Sequence, residues 1–557
     1  MSVLEKAVGD LPVLDDALRL TDEETYDKIA EAIVTQLTKL GAQDLVSREA
    51  LERLPASTHT IAHLIALSAV IDQATASGKA APRQLPAALL PDGSLWPFIS
   101  QILVQFDPVQ ARYVGPSLLK IVDVVEKAAV QTRNIVPAIQ LLRHVILRLD
   151  PTSSTLTSTH RIYVRLCLLA GAYREGVDIV ERPIYHIPSA SDKPASRPYS
   201  YICQSHETSA TYLGPNTGLT LKITSRAYLE YYIWGALCCI GAGQYEKALP
   251  LLKIVILAPS QQQVASLIQV EAYKKWVLLN LLLYGEVRDP KGAQSATLRN
   301  IKAIAREYDC VASAFRSRDI KRLQAEIAEA GDVWETDMNY GLILEVFRAH
   351  RRFAVIRLHN TYAALPVSEV ARQTSPEPSN VSETIFYLRG LIQSGHLRAT
   401  LARSKDESDQ ILRFASAGES HKSEAEVELE LAAKAQQLQT LLQNISHLDH
   451  RTELSTEYID YLRKLKKARE EEENKKESSG GGAKSKKSVT VDEFEEDMME
   501  DLQKDPMPKV HKNMTDEGLA LTSPASHSAQ PPTSPATATA AVDITVTEFV
   551  DATPFWI

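Results

Sequence analysis

Through most of the first 345 residues, apolar positions recur every three or four residues. Ile61, Leu64, Ile65 and Ala69 fall on one helical face, and so do Leu118, Ile121, Val122 and Val125. Strict alternation is almost absent, while the strong helix formers Ala, Leu, Glu, Lys and Gln abound, so the pattern predicts helices. Pro and Gly punctuate them, as at Pro82, Pro86, Pro91–Gly93, Pro108 and Gly115–Pro116.

An imperfect repeat runs inside this region. Gly243-x-Tyr245-x-x-Ala248 opens one helix, and Gly171-x-Tyr173-x-x-Gly176 stands 72 residues upstream with the same spacing. A third similar helix starts at Pro137–Ala138 and carries Leu141, Leu142 and Val145. These spacings suit two-helix units of the tetratricopeptide kind, in which Gly permits the turn and a small residue lets the second helix approach the first. The stretch with Trp234, Leu237, Gly243, Tyr245, Ala248, Leu252 and Pro259 comes nearest. Each such pair leaves an apolar face that needs a neighbour. One irregular bundle of helices fits the same pattern. Residues 183–218, rich in Pro, Ser and Tyr, read as a long loop interrupting the array.

Near residue 350 the pattern changes. Val355, Leu358, Tyr362 and Leu365 form one helix face ended by Pro366, and Ser368–Arg372 makes a short second helix. After the turn Thr374–Ser379, Val381–Ser394 reads as a third helix with Ile385, Leu388 and Ile392 inward and Gly395 just past its end. Two β-prone runs follow, Leu397–Ala402 and Gln410–Ala415, split by the polar turn Arg403–Asp409. Helix, short helix, helix, hairpin is the order of a winged helix. Beyond it Val427, Leu431, Leu438, Leu441, Ile445 and Leu448 make a heptad seam with Lys434 in one slot. Asp449–Leu454 is expected to break that helix, and Tyr458, Tyr461, Leu462 and Leu465 to begin a last one.

The fold expected is therefore an all-α, helical-repeat (TPR-like) superhelix over 1–345, an α+β winged-helix module over 346–418, C-terminal helices over 420–469 and a disordered tail over 470–557. The tail is charge-dense, then rich in Gly, Ser and Lys, then in Pro, Ser, Thr and Ala. It has too little apolar surface to order alone. Phe494–Leu502 and Phe555-Trp556-Ile557 are apolar islands in it, read as frayed segments or docking peptides.

Composition narrows the function. The formal charge is −9, from 61 basic and 70 acidic residues, which is not the footprint of a dedicated nucleic-acid binder. Five cysteines (Cys167, Cys203, Cys238, Cys239 and Cys310), without a Cys-x-x-Cys pair, suggest buried thiols in a reducing compartment. The N-terminal residues show no signal-peptide pattern, and the most apolar stretch, Trp276–Tyr284, is too short to cross a bilayer. A soluble intracellular protein is expected.

Motifs for catalysis are absent: no His-Glu-x-x-His, no paired His with a downstream Asp, no Gly-x-Ser-x-Gly. Gly480-Gly481-Gly482-Ala483-Lys484-Ser485 lacks the Gly before Lys and the preceding strand of a phosphate loop, so it reads as a linker. His59 and His63 have ligand spacing but no third ligand, and His447 and His450 suit a solvated helix end. No catalytic residue, cofactor or metal is expected. The winged helix raises DNA binding as an alternative. Specific binders commonly neutralise about 6–10 phosphates, whereas Val381–Ser394 sets Arg389 against Glu383, and the hairpin turn sets Arg403 and Lys405 against Asp406, Glu407 and Asp409. The basic cluster Arg348-Ala349-His350-Arg351-Arg352 precedes the module.

The order helical repeats, winged helix, C-terminal helix resembles the PCI-domain family. Arg357-Leu358, Thr361-Tyr362, Leu365 and Val370-Ala371 fit its pattern. That family supplies scaffold subunits to the proteasome lid, the translation initiation factor 3 complex and the COP9 signalosome. The last is the nearest in kind. Leu156-Thr157-Ser158-Thr159-His160, Leu166-Cys167-Leu168-Leu169-Ala170, Tyr231-Tyr232 with Gly241 and Tyr245–Leu249, and above all Glu271-Ala272-Tyr273-Lys274-Lys275 with Leu278 and Gly285 are similar to it. The similarity runs from about residue 140 to 465; the loop 183–218 and the tail after 470 depart from it.

The resemblance implies a non-catalytic scaffold supporting removal of Nedd8 from cullins in cullin-RING ubiquitin ligases, with the protease in a different, metal-binding subunit. It implies cytoplasmic and nuclear localisation and other signalosome subunits as partners, with no nucleic acid and no membrane. It also implies winged helices aligned edge to edge and C-terminal helices joined in one bundle. The residues here that suit those two contacts are Leu397, Arg398, Thr400, Leu401 and Ile411 in the hairpin, and Val427, Leu431, Leu438, Leu441, Ile445 and Leu448 in the seam.

Overall fold

The computed structural model describes residues 14, 16–39, 55–77, 84–188, 201–204, 209–259, 265–290, 295–317, 319–375, 379–403, 410–415, 424–453, 458 and 461–467. These residues are mostly helical, with one small antiparallel sheet. No described helix is long and apolar enough to cross a membrane.

The first helices are α1 (Asp16–Thr21), α2 (Glu23–Lys39), α3 (Thr60–Ser77), α4 (Trp96–Gln105), α5 (Pro108–Ala111), α6 (Gly115–Thr132) and α7 (Val136–Leu149). Next come α8 (Ser158–Leu169), α9 (Tyr173–Val180), α10 (Ser225–Gly241), α11 (Tyr245–Leu257) and α12 (Leu267–Tyr284). Then follow α13 (Ser295–Ile304), α14 (Arg306–Arg316), α15 (Ile320–Glu329), α16 (Gly331–Thr336) and α17 (Tyr340–His359). Packing is between near neighbours in the chain: α6 on α7, α7 on α8, α8 on α9 and α10, α10 on α11, α11 on α12, and α12 on α14 and α17. One continuous apolar core threads them, from Leu14 to Ala349.

Three of the turns have the same construction. The residue after the helix cap sits in the left-handed region, at Gly171 (φ 65°), Gly243 (φ 72°) and Met338 (φ 53°). The next N–H then reaches back over the last turn: Ala172 to the Cys167 carbonyl at 2.9 Å, Gln244 to Cys239 at 2.8 Å, and Asn339 to Trp334 at 2.9 Å. This closes orphan carbonyls at the helix end. Glycine adopts that conformation freely, whereas Met338 does so at a cost of about 1 kcal/mol. Gly176 serves a different end: a Cβ there would lie 2.7 Å from Cys238 Sγ, so the residue sets how closely α9 meets α10.

The segment expected to be a loop over 183–218 does more than interrupt the array. Arg112 Nη1 donates to the carbonyls of Ile202 (3.0 Å) and Gln204 (2.9 Å), and its guanidinium stacks on the Tyr212 ring. Asp27 on α2 accepts from the N–H groups of Ile202 (2.8 Å) and Cys203 (3.0 Å) and from the Tyr113 hydroxyl. The described parts of this strap thus tie α2 to the turn after α5, and they bury Cys203 and Leu213.

Helix α17 belongs to two cores. Ile343, Val346 and Ala349 lie in the large one, Val355 in a second formed with Leu365, Val367, Val370, Leu388, Leu391, Leu397, Leu412 and Phe414. The division at 345/346 therefore falls inside one helix. The second core joins β1 (Ala364–Pro366), α18 (Val367–Thr374), α19 (Val381–Gln393), β2 (Ala399–Arg403) and β3 (Gln410–Phe414). The sheet order is β1-β3-β2, all antiparallel. The helix face expected from Val355 to Leu365 stops at His359; Tyr362 lies in the following turn and Leu365 in β1, paired with Leu412. Pro366 drives the residue before it into extended backbone, where strand pairing satisfies it.

Helix α20 spans Glu424–Glu453 without Pro or Gly, so the break expected at Asp449 is not found up to Glu453. Residues 461–467 are helical. The turn at 404–409, Leu454 and the tail 470–557 lie outside the described residues.

Candidate interaction surfaces

The sheet has two outer strands, and the pairing shows what each offers. Ala415 donates its N–H to the Arg398 carbonyl, and Phe414 to the Ala363 carbonyl, both at 3.0 Å. Hydrogen bonding alternates along an antiparallel pair. From these two bonds, Thr400 and Ala402 face inward to β3 along with Arg398, and the backbone groups of Ala399, Leu401 and Arg403 face the open side. On β1, by the same alternation, Ala364 and Pro366 face outward. Proline has no N–H, and the strand is three residues long, so that edge is blunt. The usable edge is β2.

The hairpin residues expected to make contacts divide accordingly. Arg398 and Thr400 are exposed and Leu401 is half-buried. Leu397 is only 5% exposed and belongs to the second core, its N–H held by the Leu391 carbonyl. Ile411 is on β3, the central strand, paired with Pro366 on one side and Ala402 on the other. The run Gln410–Ala415 therefore does not supply an edge, because β1 closes its far side. Nothing in a hairpin-forming sequence announces that a third strand, 45 residues upstream, will pair with it.

The seam of α20 stands exposed among the described residues. Val427, Leu431, Leu438, Leu441, Ile445 and Leu448 are between 41% and 65% exposed, and Leu442, which the heptad reading omits, widens the same stripe. Packing of this helix back onto its own module would bury those side chains, and it does not.

The basic cluster before the module is largely used inside the chain. Ala349 and His350 are buried, Arg352 Nη2 donates to the Leu282 carbonyl, and Arg351 forms a double contact with Glu383 at 2.7 and 2.9 Å while stacking on Tyr387. The Arg351 hydrogen bond holds the Glu383 carboxyl below the usual range. The larger shifts lie within the stack and follow from burial. His160 is pushed down to about 4, and the Cys167 thiol up to about 12. The five cysteines are free thiols, and Cys167, Cys203, Cys238 and Cys239 are buried. Among the described residues no group of three His, Cys, Asp or Glu side chains is placed to hold a metal ion.

Stacked helix pairs, continued by a shared helix into a small α/β unit with one open strand edge and an uncovered apolar helix, define a chain built for contacts with other proteins. Known proteins resemble it over most of its length. A family model described as the N-terminal helical repeats of COP9 signalosome complex subunit 3 matches residues 23–296. COP9 signalosome complex subunit 3 of Emericella nidulans is 30% identical over 423 residues, covering 75% of this chain and 83% of that protein. The protein of the same name from Neurospora crassa is 27% identical over 67% of this chain and 75% of its own length, and that of Arabidopsis thaliana 24% over 70% and 80%. The chain belongs to the COP9 signalosome complex subunit 3 family.

Proposed function

We propose that the chain is a non-catalytic scaffold of a COP9 signalosome. In this reading residues 23–296 form TPR-like repeats, the unit from α17 to β3 is the winged helix of a PCI domain, and the chain supports cullin deneddylation only by holding other subunits. The β2 edge is extended by a neighbour's strand, with main-chain bonds at Ala399, Leu401 and Arg403 supplying the affinity. The α20 seam enters a bundle with other subunits' helices. The observation that carries this is the α20 stripe: six apolar residues at heptad spacing stand exposed on a helix of 30 residues. An isolated chain gains nothing from such a stripe, whereas in a bundle each Leu truncated to Ala costs about 3 kcal/mol.

Exchange of Leu438 and Leu441 for Asp is the test. The double variant should fail to co-purify with the complex while its far-ultraviolet dichroism stays unchanged. Normal co-purification would overturn the bundle assignment. Mass spectrometry of the wild-type preparation identifies the assembly, by whether cullins and a metalloprotease subunit or proteasome subunits accompany it. Localisation in cytoplasm and nucleus follows from this reading, and imaging of the tagged chain checks it.

A further inference from the structure

The outer face of the sheet carries charge of one sign. Side chains alternate along a strand. Leu365, Ala399, Leu401, Leu412 and Phe414 belong to the second core. Arg398, Thr400 and Ala402, with Ile411 and Arg413 on β3, therefore take the opposite face. Arg398, Thr400 and Arg413 are exposed. Thr400 pairs with Arg413, and the Ala415 N–H donates to the Arg398 carbonyl at 3.0 Å. That register makes the two arginines diagonal neighbours, about 7–8 Å apart. Neither forms an ion pair among the described residues. From β1 to β3 the described carboxylates are Glu369 and Glu383, held by Arg372 at 2.6 Å and by Arg351 at 2.7 Å.

The core side of the same edge is unfinished. Leu401 packs on the second core, yet at the open side of β2 it is only half-buried. No further strand lies beyond β2 among the described residues. A strand added there sets its side chains alternately on the two faces, whichever way it runs. One set falls beside Leu401, the other beside Arg398 and Thr400.

We propose that the strand extending β2 comes from another subunit and alternates Asp or Glu with apolar residues. Its carboxylates lie on the outer face, against Arg398 and within the field of Arg413, and its apolar side chains cover Leu401. This pattern rests on a neighbour extending β2, as proposed above, and adds what the edge selects. Main-chain bonds at Ala399, Leu401 and Arg403 hold a strand of any sequence. Opposite charges on adjacent strands attract and like charges repel, so the arginines choose among strands. A second copy of β2 that laid its own Leu401 beside this one would bring two more arginines to the same face. Self-pairing is thereby disfavoured.

The assembled complex, with benzoylphenylalanine in place of Thr400, reads the occupant. Irradiation should crosslink it to a stretch of another subunit in which Asp or Glu alternates with apolar residues. A neighbour's stretch without that alternation would overturn the proposal and leave the use of the edge standing. A crosslink to a second copy of this chain would overturn it as well. No crosslink to any neighbour would sink both the pattern and the edge. Charge reversal gives an independent measure. With Arg398→Glu and Arg413→Glu together, the crosslinked neighbour should bind about tenfold more weakly at low salt, and the difference should shrink as salt rises. Arg398→Lys with Arg413→Lys should bind as the wild type does. Both side chains are exposed, so the fold should persist, and unchanged far-ultraviolet dichroism checks it. Equal binding by all three chains would overturn the proposal.

Discussion

Helices α12 and α20 are both long and both rich in Leu, yet they meet opposite fates. In α12, Val270, Ala272, Tyr273, Trp276, Val277, Leu278, Leu279, Leu281 and Leu282 are all buried, because α11, α14 and α17 close around it. In α20 the apolar residues from Val427 to Leu448 remain about half exposed. A helix apolar on most of its sides must be enclosed by several neighbours; one with a single apolar stripe needs only one, and the α20 stripe has none among the described residues. The difference separates a helix that its own chain covers from one that, under the proposed function, other subunits cover.

The contrast can be broken most sharply in the stack. Trp334 is fully buried, edge-on to Tyr308 at 4.9 Å, and its indole N–H donates to the Ile327 carbonyl at 2.9 Å. Trp334→Ala should cost about 3–5 kcal/mol in denaturant unfolding of the isolated chain. A loss below about 1 kcal/mol would mean that the stack is not the stabilising region.

A slightly smaller effect is expected from pH. His160 Nδ1 accepts from the Thr157 N–H at 3.2 Å, which leaves Nε2 to donate to Ser153 Oγ at 2.8 Å. Burial holds its folded pKa near 4, below the ordinary value of 6.5. The unfolded chain therefore binds a proton in that window that the folded chain does not. Stability should fall as pH drops from about 6.5 to 4, by on the order of 3 kcal/mol. His160→Gln should flatten that part of the stability–pH curve; an unchanged slope would assign the pH dependence elsewhere.

Met338→Gly should move stability the other way. It relieves a left-handed side chain in the third of three equivalent turns, and we expect a gain of up to about 1 kcal/mol in unfolding free energy. A loss would show that the Met338 side chain, 53% exposed, contributes more than its backbone costs.

The smallest effect on the isolated chain belongs to the seam. Leu438→Asp with Leu441→Asp should change its unfolding free energy by less than about 0.5 kcal/mol. The same pair removes the chain from its complex under the proposed function. A large loss in isolation would erase the distinction between covered and uncovered helix.

The sequence alone determined the faces. A period near 3.6 marks one side of each helix as apolar, and the turns at Gly171 and Gly243 were legible because few residues other than glycine sit easily at positive φ. The turn at Met338 was not, since its conformation is imposed by α16 and α17 rather than by the residue itself. The heptad seam of α20 could be read, but whether its own module covered it could not. Which hairpin strand kept a free edge depended on Leu365 pairing with Leu412, a contact across 47 positions. Local pattern fixes which side of an element is apolar; what lies against that side is decided by residues distant in the chain, and only the tertiary structure brings them together.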